Sequence, residues 1–448
     1  MNGLRTLAIV VGTLILVHCS DPVVVPDPFP TAYDGARFDT DLLATQWYDC
    51  ATWCIEQHST FADPIAARVY AYMGIALYQS LVHGMPGYRS LEGQIAGLQD
   101  LPRPDTAGKR YYWVLVANAA IAELLRGMFP RSSHEVFRRI DALESANVAE
   151  RWLVERDTAM LERSVAYGKE IAHRLLDIAR QDGGDKAWES LFSPAAVLPP
   201  IPGGWRPTTS EYPHPLLPQW GAVRLLVVQD TAIDPPPPYA IEPGSLYRTA
   251  ADSLYRRVKR ATELDLDVAR YWVNSFGSPP TFPGHLMRIA TRLIRTGPYR
   301  MGFGAVVYLQ LGIAMHDAYV LTWRAKYRYP LARPETYIRD NIDRTYRPPL
   351  PSPPTPEYVS ERAVVSTTVL RLLQHAFREP YPMIERISDR THVERGMLER
   401  DWGSLTALWE EIIAADRWSG MHYDFSIAVG IQLGERISRQ IQERLRVQ

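Results

Sequence analysis

An all-α fold is what this sequence predicts, and three observations predict it. Apolar residues recur at helical spacing in one segment after another, small residues interrupt them where helices must approach closely, and no strand-rich stretch with period-two alternation competes. The composition, 46% hydrophobic and 22% charged over 448 residues, supplies enough apolar surface for one large core or two smaller ones.

The chain opens on an export signal. Met1 to Arg5 carries one positive charge, Leu7 to Val17 is apolar or small, and Cys19 follows. Cys19 reads as the lipidated first residue of a mature lipoprotein, although His18 stands where a small residue normally precedes such a cysteine. A simple secretory peptide and an uncleaved anchor remain the alternatives. Residues 20–38 read as an extended tether carrying Pro22, Pro26, Pro28 and Pro30. The mature protein is therefore expected outside the cytoplasm, anchored by lipid and facing the periplasm or the cell surface, with membrane contact only through that lipid.

Residues 39–448 read as one helical domain: an N-terminal half over about 39–180, a loop over 181–245 and a C-terminal bundle over about 246–448. Cys50 and Cys54, four apart, read as two small buried hydrophobes; a strained disulfide or a weak metal site with His58 are the other options. Helices are expected over Ile65 to Val82, where Ala66, Ala67, Ala71, Gly74 and Ala76 suit close packing, over Tyr111 to Met128, and over a long amphipathic Val148 to Arg180. The Pro- and Gly-rich stretch from Gln181 to about Ser245 is long enough to imply a role, with Trp205, Arg206 and Trp220 either lining an entrance or pegging the loop down. Helices resume over Leu286 to Thr296, Ala305 to Ala325, Val364 to Phe377, Gly403 to Ala415 and Phe425 to Arg446.

Chemistry concentrates between His316 and Ser366. From Arg324 to Arg347 there are seven Lys/Arg against three acids, Glu335, Asp340 and Asp343, in a chain whose net charge is only -1. Such a focused excess points to a small, highly charged anion and away from nucleic acid. Lys326 and Arg333 are seven apart, which on a continuous helix puts them on one face. After a proline-rich run, Ser360 opens a helical segment, as a helix cap and at a place where a helix N-terminus can hold an oxyanion.

The string Asp317-Ala-x4-Trp-x2-Lys326-Tyr-x5-Arg333-Pro, followed by Pro-Glu-Tyr-x-Ser360, resembles the bacterial vanadium-dependent haloperoxidases and the acid phosphatases of the PAP2 type that share their fold. The resemblance runs from about Asp39 to the C-terminus and implies two packed helical bundles. It implies a site for vanadate or phosphate built from three motifs: Lys-x6-Arg-Pro, Pro-Ser-Gly-His and Ser-Arg-x5-His. The first is intact as Lys326 to Arg333-Pro334. The second has become Val359-Ser360-Glu361-Arg362, and the third Asp416-Arg417-Trp-Ser-Gly420-Met-His422, with Asp416 where the arginine falls if no gap is opened.

By that resemblance, His422 is the axial vanadate ligand or the phosphoryl-accepting nucleophile, and Lys326, Arg333, Ser360, Arg362 and Arg417 are the candidate oxyanion-binding groups. His285, in a Gly-His like one the family carries, and Asp317, a carboxylate able to hold Lys326 or an arginine, are candidate supporting residues. Arg362 replaces the acid–base histidine, and arginine cannot deprotonate. The implied partners are hydrogen peroxide with halide, or a phosphate ester. The alternative is a catalytically impaired, noncatalytic exported lipoprotein that keeps the fold. A third possibility is that these residues are ordinary helix-surface and capping groups. Geometry separates the first two: Lys326, Arg333, Ser360 and His422 must converge on one oxyanion-wide pocket, and the catalytic reading fails if Glu361 or Asp416 fills it. The sequence does not choose between halide and ester chemistry, nor fix an oligomeric state.

Overall fold

The computed structural model describes residues 42–58, 60–153, 156–194, 198, 200–229, 231–273, 280–297, 299–379, 386–393 and 396–448. The export signal, Cys19 and the tether lie outside them.

Among the described residues there are thirteen α-helices: α1 (Leu42–Glu56), α2 (Asp63–Leu81), α3 (Trp113–Met128), α4 (His134–Trp152), α5 (Thr158–Ala179), α6 (Leu246–Arg260), α7 (Glu263–Trp272), α8 (Phe282–Thr296), α9 (Met301–Arg328), α10 (Pro334–Asn341), α11 (Glu361–Ala376), α12 (Leu405–Ser419) and α13 (Asp424–Arg444). One small antiparallel hairpin, Ile387–Asp389 with Arg400–Trp402, stands beside them. The all-α expectation holds. The predicted helix from Val148 to Arg180 does not: α4 ends at Trp152, and Asp157 starts α5 anew by accepting the Met160 N–H at 3.0 Å.

Helix α9 is the hub. It is long and apolar enough to cross a membrane, yet it is buried along nearly all of its length inside the protein. Helix α2 packs against it, backed by α3 and α5; α11 and α13 also pack on it, with α12 on α11 and α7 on α12. The α2–α9 contact is close because glycines face the opposing backbone. A Cβ on Gly312 would lie 2.4 Å from the Tyr70 carbonyl oxygen, and one on Gly74 would lie 2.8 Å from Leu309 Cα. Backbone cannot yield as a side chain can. Gly312→Ala is therefore expected to lower stability by about 1–3 kcal/mol through overpacking, read as a drop in the urea midpoint; an unchanged midpoint would show that α2 and α9 separate without cost.

The long loop lies on α9, held by polar groups of that helix. Asp317 accepts the backbone N–H groups of Leu226, Val227 and Val228 at 2.8, 2.9 and 2.8 Å. It thus ties down the loop and holds neither Lys326 nor an arginine, as a buried carboxylate facing three unpaired N–H donors must. Arg324 Nε donates to the Gly221 carbonyl at 2.6 Å, and the Tyr327 hydroxyl donates to that of Leu216 at 2.6 Å. Trp220 is fully buried, a peg in the core, while exposed Arg206 pairs with Asp340. Cys50 and Cys54 are buried free thiols.

Candidate functional site

Helix α9 delivers Lys326 two residues before its end at Arg328. Pro330 then precludes continuation, and Arg333 becomes the extended N-cap of α10 (φ -63°, ψ 149°) with Pro334 in its first turn. The shared helix face expected from the seven-residue spacing is therefore absent. Lys326 and Arg333 meet across a turn, both fully buried. Of the basic run, these two enter the site; Arg339, for example, pairs with Glu335 at 2.7 Å.

Ser360 is the N-cap of α11, its Oγ accepting the Ala363 N–H at 3.1 Å. On α12, successive side chains turn by roughly 100°, so buried Asp416 points inward and exposed Arg417 outward. Gly420, left-handed at φ +74°, ends that helix and turns the chain so that His422 comes back against it.

The four residues converge. Arg333 Nη1 lies 2.9 Å from His422 Nε2; its Nε donates to the Thr355 carbonyl at 2.8 Å and its Nη2 to Thr355 Oγ1 at 2.6 Å. His422 Nδ1 lies 3.0 Å from Asp416 Oδ1, and Ser360 Oγ donates to Asp416 Oδ2 at 2.5 Å. Lys326 Nζ donates to the carbonyls of Pro356, Glu357 and Val359 at 3.0, 3.1 and 3.0 Å. Its fourth contact decides the chemistry: Glu361 Oε2 sits 2.8 Å from Lys326 Nζ and 3.3 Å from His422 Nε2. The carboxylate of the first residue of α11 occupies the space between the cations.

Charge follows geometry. Burial alone would raise the Glu361 pKa, but Lys326 and His422 outweigh it and hold the carboxyl well below its ordinary range. Burial lowers the pKa of Lys326, with Glu361 opposing. His422 is lowered by burial yet raised overall, because Asp416 and Glu361 face its two nitrogens. Nδ1–H donates to Asp416 in either protonation state. At Nε2 two contacts compete, since a neutral ring accepts from Arg333 and an imidazolium donates to Glu361; the raised pKa favours the imidazolium. Nearby, Glu357 is buried, its Oε1 accepts the Tyr423 N–H at 3.0 Å, and burial raises its pKa.

The other candidates sit elsewhere. Arg417, at the helix surface, lies 3.7 Å from Asp424. His285 Nε2 pairs with Asp389 at 2.5 Å and its ring stacks on Trp272 at 4.6 Å, in an aromatic nest that contains none of the four converging residues. Arg362 donates to the Trp272 carbonyl and lies over Phe282, away from the cations' shared centre. Sequence reasoning gave no role to Thr355 or Glu357, which touch Arg333 and Tyr423; Thr355 stood in the proline-rich run, and Glu357 was the glutamate of the Pro-Glu-Tyr-x-Ser360 string.

A cleft of about 420 Å³ leads from the surface to Glu361 and Arg362. Phe61, Trp323 and Met421 wall it, and the long loop contributes Thr209, Glu211 and Tyr212. The loop therefore does line an entrance, though not with Trp205, Arg206 or Trp220.

Comparison with known proteins gives one consistent result. The family model for the VCPO second helical-bundle domain matches residues 306–447. The crystal structure of the first bacterial vanadium-dependent iodoperoxidase superposes with a TM-score of 0.81 at 27% identity, covering 91% of this chain and 97% of that one. The apo and holo crystal structures of a bacterial vanadium-dependent chloroperoxidase give 0.61 at 14% and 0.62 at 15% identity, each over 86% of this chain and over 95% and 94% of theirs. At those identities the latter two establish the fold alone. No curated protein sequence matches.

Proposed function

We propose that this chain, which belongs to the vanadium haloperoxidase and PAP2-like superfamily, keeps the superfamily's fold but supplies its own anion to the cradle and runs no vanadate-dependent chemistry. The observation that carries this reading is the Glu361 carboxylate, 2.8 Å from Lys326 and 3.3 Å from His422. A tetrahedral oxyanion needs those donors for its own oxygens. With Glu361 on them and Asp416 adding a second buried negative charge beside His422, vanadate does not fit the residues present. Arg362 leaves the acid–base position without a group that can lose a proton. In this reading the mature protein is an exported, lipid-tethered relative without haloperoxidase or phosphatase turnover.

A second reading rests on the convergence of Lys326, Arg333, Ser360 and His422: an oxyanion-binding enzyme that oxidises halide with peroxide, or hydrolyses phosphate esters, once Glu361 moves aside. Titration calorimetry of the soluble chain with orthovanadate separates the two. No saturable heat is expected, and no peroxide-dependent oxidation of iodide or bromide. Tight vanadate binding that disappears in Lys326→Ala would sink the closed-cradle reading in favour of the enzyme.

A further inference from the structure

The cleft that ends on Glu361 and Arg362 is not explained by a closed cradle. Its 420 Å³ falls within the range of about 300–1,000 Å³ typical of small-molecule sites. Phe61 and Trp323 form nearly buried apolar walls, and Tyr212 stands half-buried at the loop side. The floor is polar and charge-balanced. Glu361 is matched by Lys326 behind it, and Asp63 and Arg362, of opposite charge, line the same floor. At the rim, Glu56 is matched by Arg288 at 2.6 Å.

Balanced charge does not mean satisfied hydrogen bonding. Both contacts of Glu361 with Lys326 and His422 run through Oε2, although the residue is only 8% exposed and lines the cleft. That buried Oε2 has no hydrogen bond of good geometry among the described residues. One Asp63 oxygen accepts the Phe282 N–H at 3.0 Å. The Arg362 guanidinium spends Nη1 on the Trp272 carbonyl and lines the same floor.

A ligand bearing net charge of either sign would enter without a counter-ion, at a desolvation cost that nothing in the floor offsets. A hydroxyl both donates and accepts, so adjacent hydroxyls can donate to a carboxylate and accept from the guanidinium while the carbon skeleton packs on the walls. We propose that the cleft binds an uncharged, hydroxyl-rich small molecule of mono- or disaccharide size, held by Glu361, Asp63 and Arg362 between Phe61, Trp323 and Tyr212. The proposal rests on the closed-cradle reading to the extent that Glu361 must stay in place.

The test is calorimetry and ligand-observed NMR on the soluble chain with glucose, maltose, cellobiose and sucrose, with glucosamine and glucuronate as charged counterparts. At least one neutral sugar is expected to saturate, with the charged counterparts at least tenfold weaker. Asp63→Asn and Tyr212→Ala, on partly exposed positions and checked for an unchanged melting temperature, should each weaken it about tenfold, equivalent to about 1.4 kcal/mol. Absence of binding by all four sugars, or equal binding of a charged counterpart, overturns the proposal. An orthovanadate arm separates the failures: if neither sugar nor vanadate binds, the cleft proposal alone is lost, whereas vanadate binding means that the closed-cradle reading has failed as well.

Discussion

Lys326→Met is expected to lower the unfolding free energy by about 3–5 kcal/mol, the range for removing one partner of a buried ion pair. The side chain is fully buried and makes one ion pair and three hydrogen bonds to carbonyls. Without it, Glu361 is left charged at the end of the cleft with its closest cation gone. The double variant Lys326→Met/Glu361→Gln should recover part of the loss by removing the uncompensated charge; the orphaned carbonyls of Pro356, Glu357 and Val359 keep the recovery incomplete. The pH dependence has a definite sign. The folded-state pKa of Glu361 is depressed, so its contribution is fully present above the ordinary glutamate value of about 4.3 and is lost as pH falls through the depressed value. The gap between native chain and Lys326→Met should therefore be widest near neutrality and narrow on acidification. Denaturant unfolding across pH checks this, and a gap that grows in acid would show that the Glu361–Lys326 pair is not what Lys326 stabilises.

Glu361→Gly/Arg362→His/Asp416→Arg is expected to turn a chain that ignores vanadate into one that binds it. The glycine clears the space between Lys326 and His422. The arginine replaces a buried carboxylate on the inward face of α12, the face that Arg417 does not reach. Removing two carboxylates also removes what raises the His422 pKa, so burial should bring it down and leave Nε2 with a lone pair. The gain should exceed 100-fold in apparent affinity, about 2.7 kcal/mol or more at 1.36 kcal/mol per factor of ten, read by calorimetry with orthovanadate. Asp416→Arg removes the carboxylate that Ser360 and His422 both contact, in the single variant as in the triple, so the melting temperature of each is measured beside binding. If the triple variant folds with native melting behaviour and still binds no vanadate, Glu361 is not what closes the cradle.

Much of this is legible in the sequence. Helical periodicity determined the all-α class, because an apolar stripe at that spacing can be buried only by packing helices together. Ser360 as a cap, Gly74 as a contact point and the two buried cysteines followed from residue type and spacing, while the grouping of Lys326 with Arg333 and His422 came from the family resemblance. Helices α6 and α7 did not, for their mean hydropathy is low and their ends are set by Ser245 and Thr262 caps rather than by apolar runs. The departures Glu361, Arg362 and Asp416 were equally plain in the chain as letters.

What the letters left open was where each side chain goes. A seven-residue spacing between Lys326 and Arg333 means one face on a helix and opposed walls across a turn, and Pro330 with Pro334 chose the turn. Whether Asp416 or Arg417 faces His422 depends on the rotation of α12, which its packing against α11 and α7 sets. Glu361 carries the same charge on a surface as in a core; it becomes a substitute anion only because the fold holds the fully buried Lys326 and His422 within its reach. Sequence determined which charges this protein carries, and the tertiary structure decided which of them neutralise one another, since pairing depends on distance and desolvation, and local sequence encodes neither.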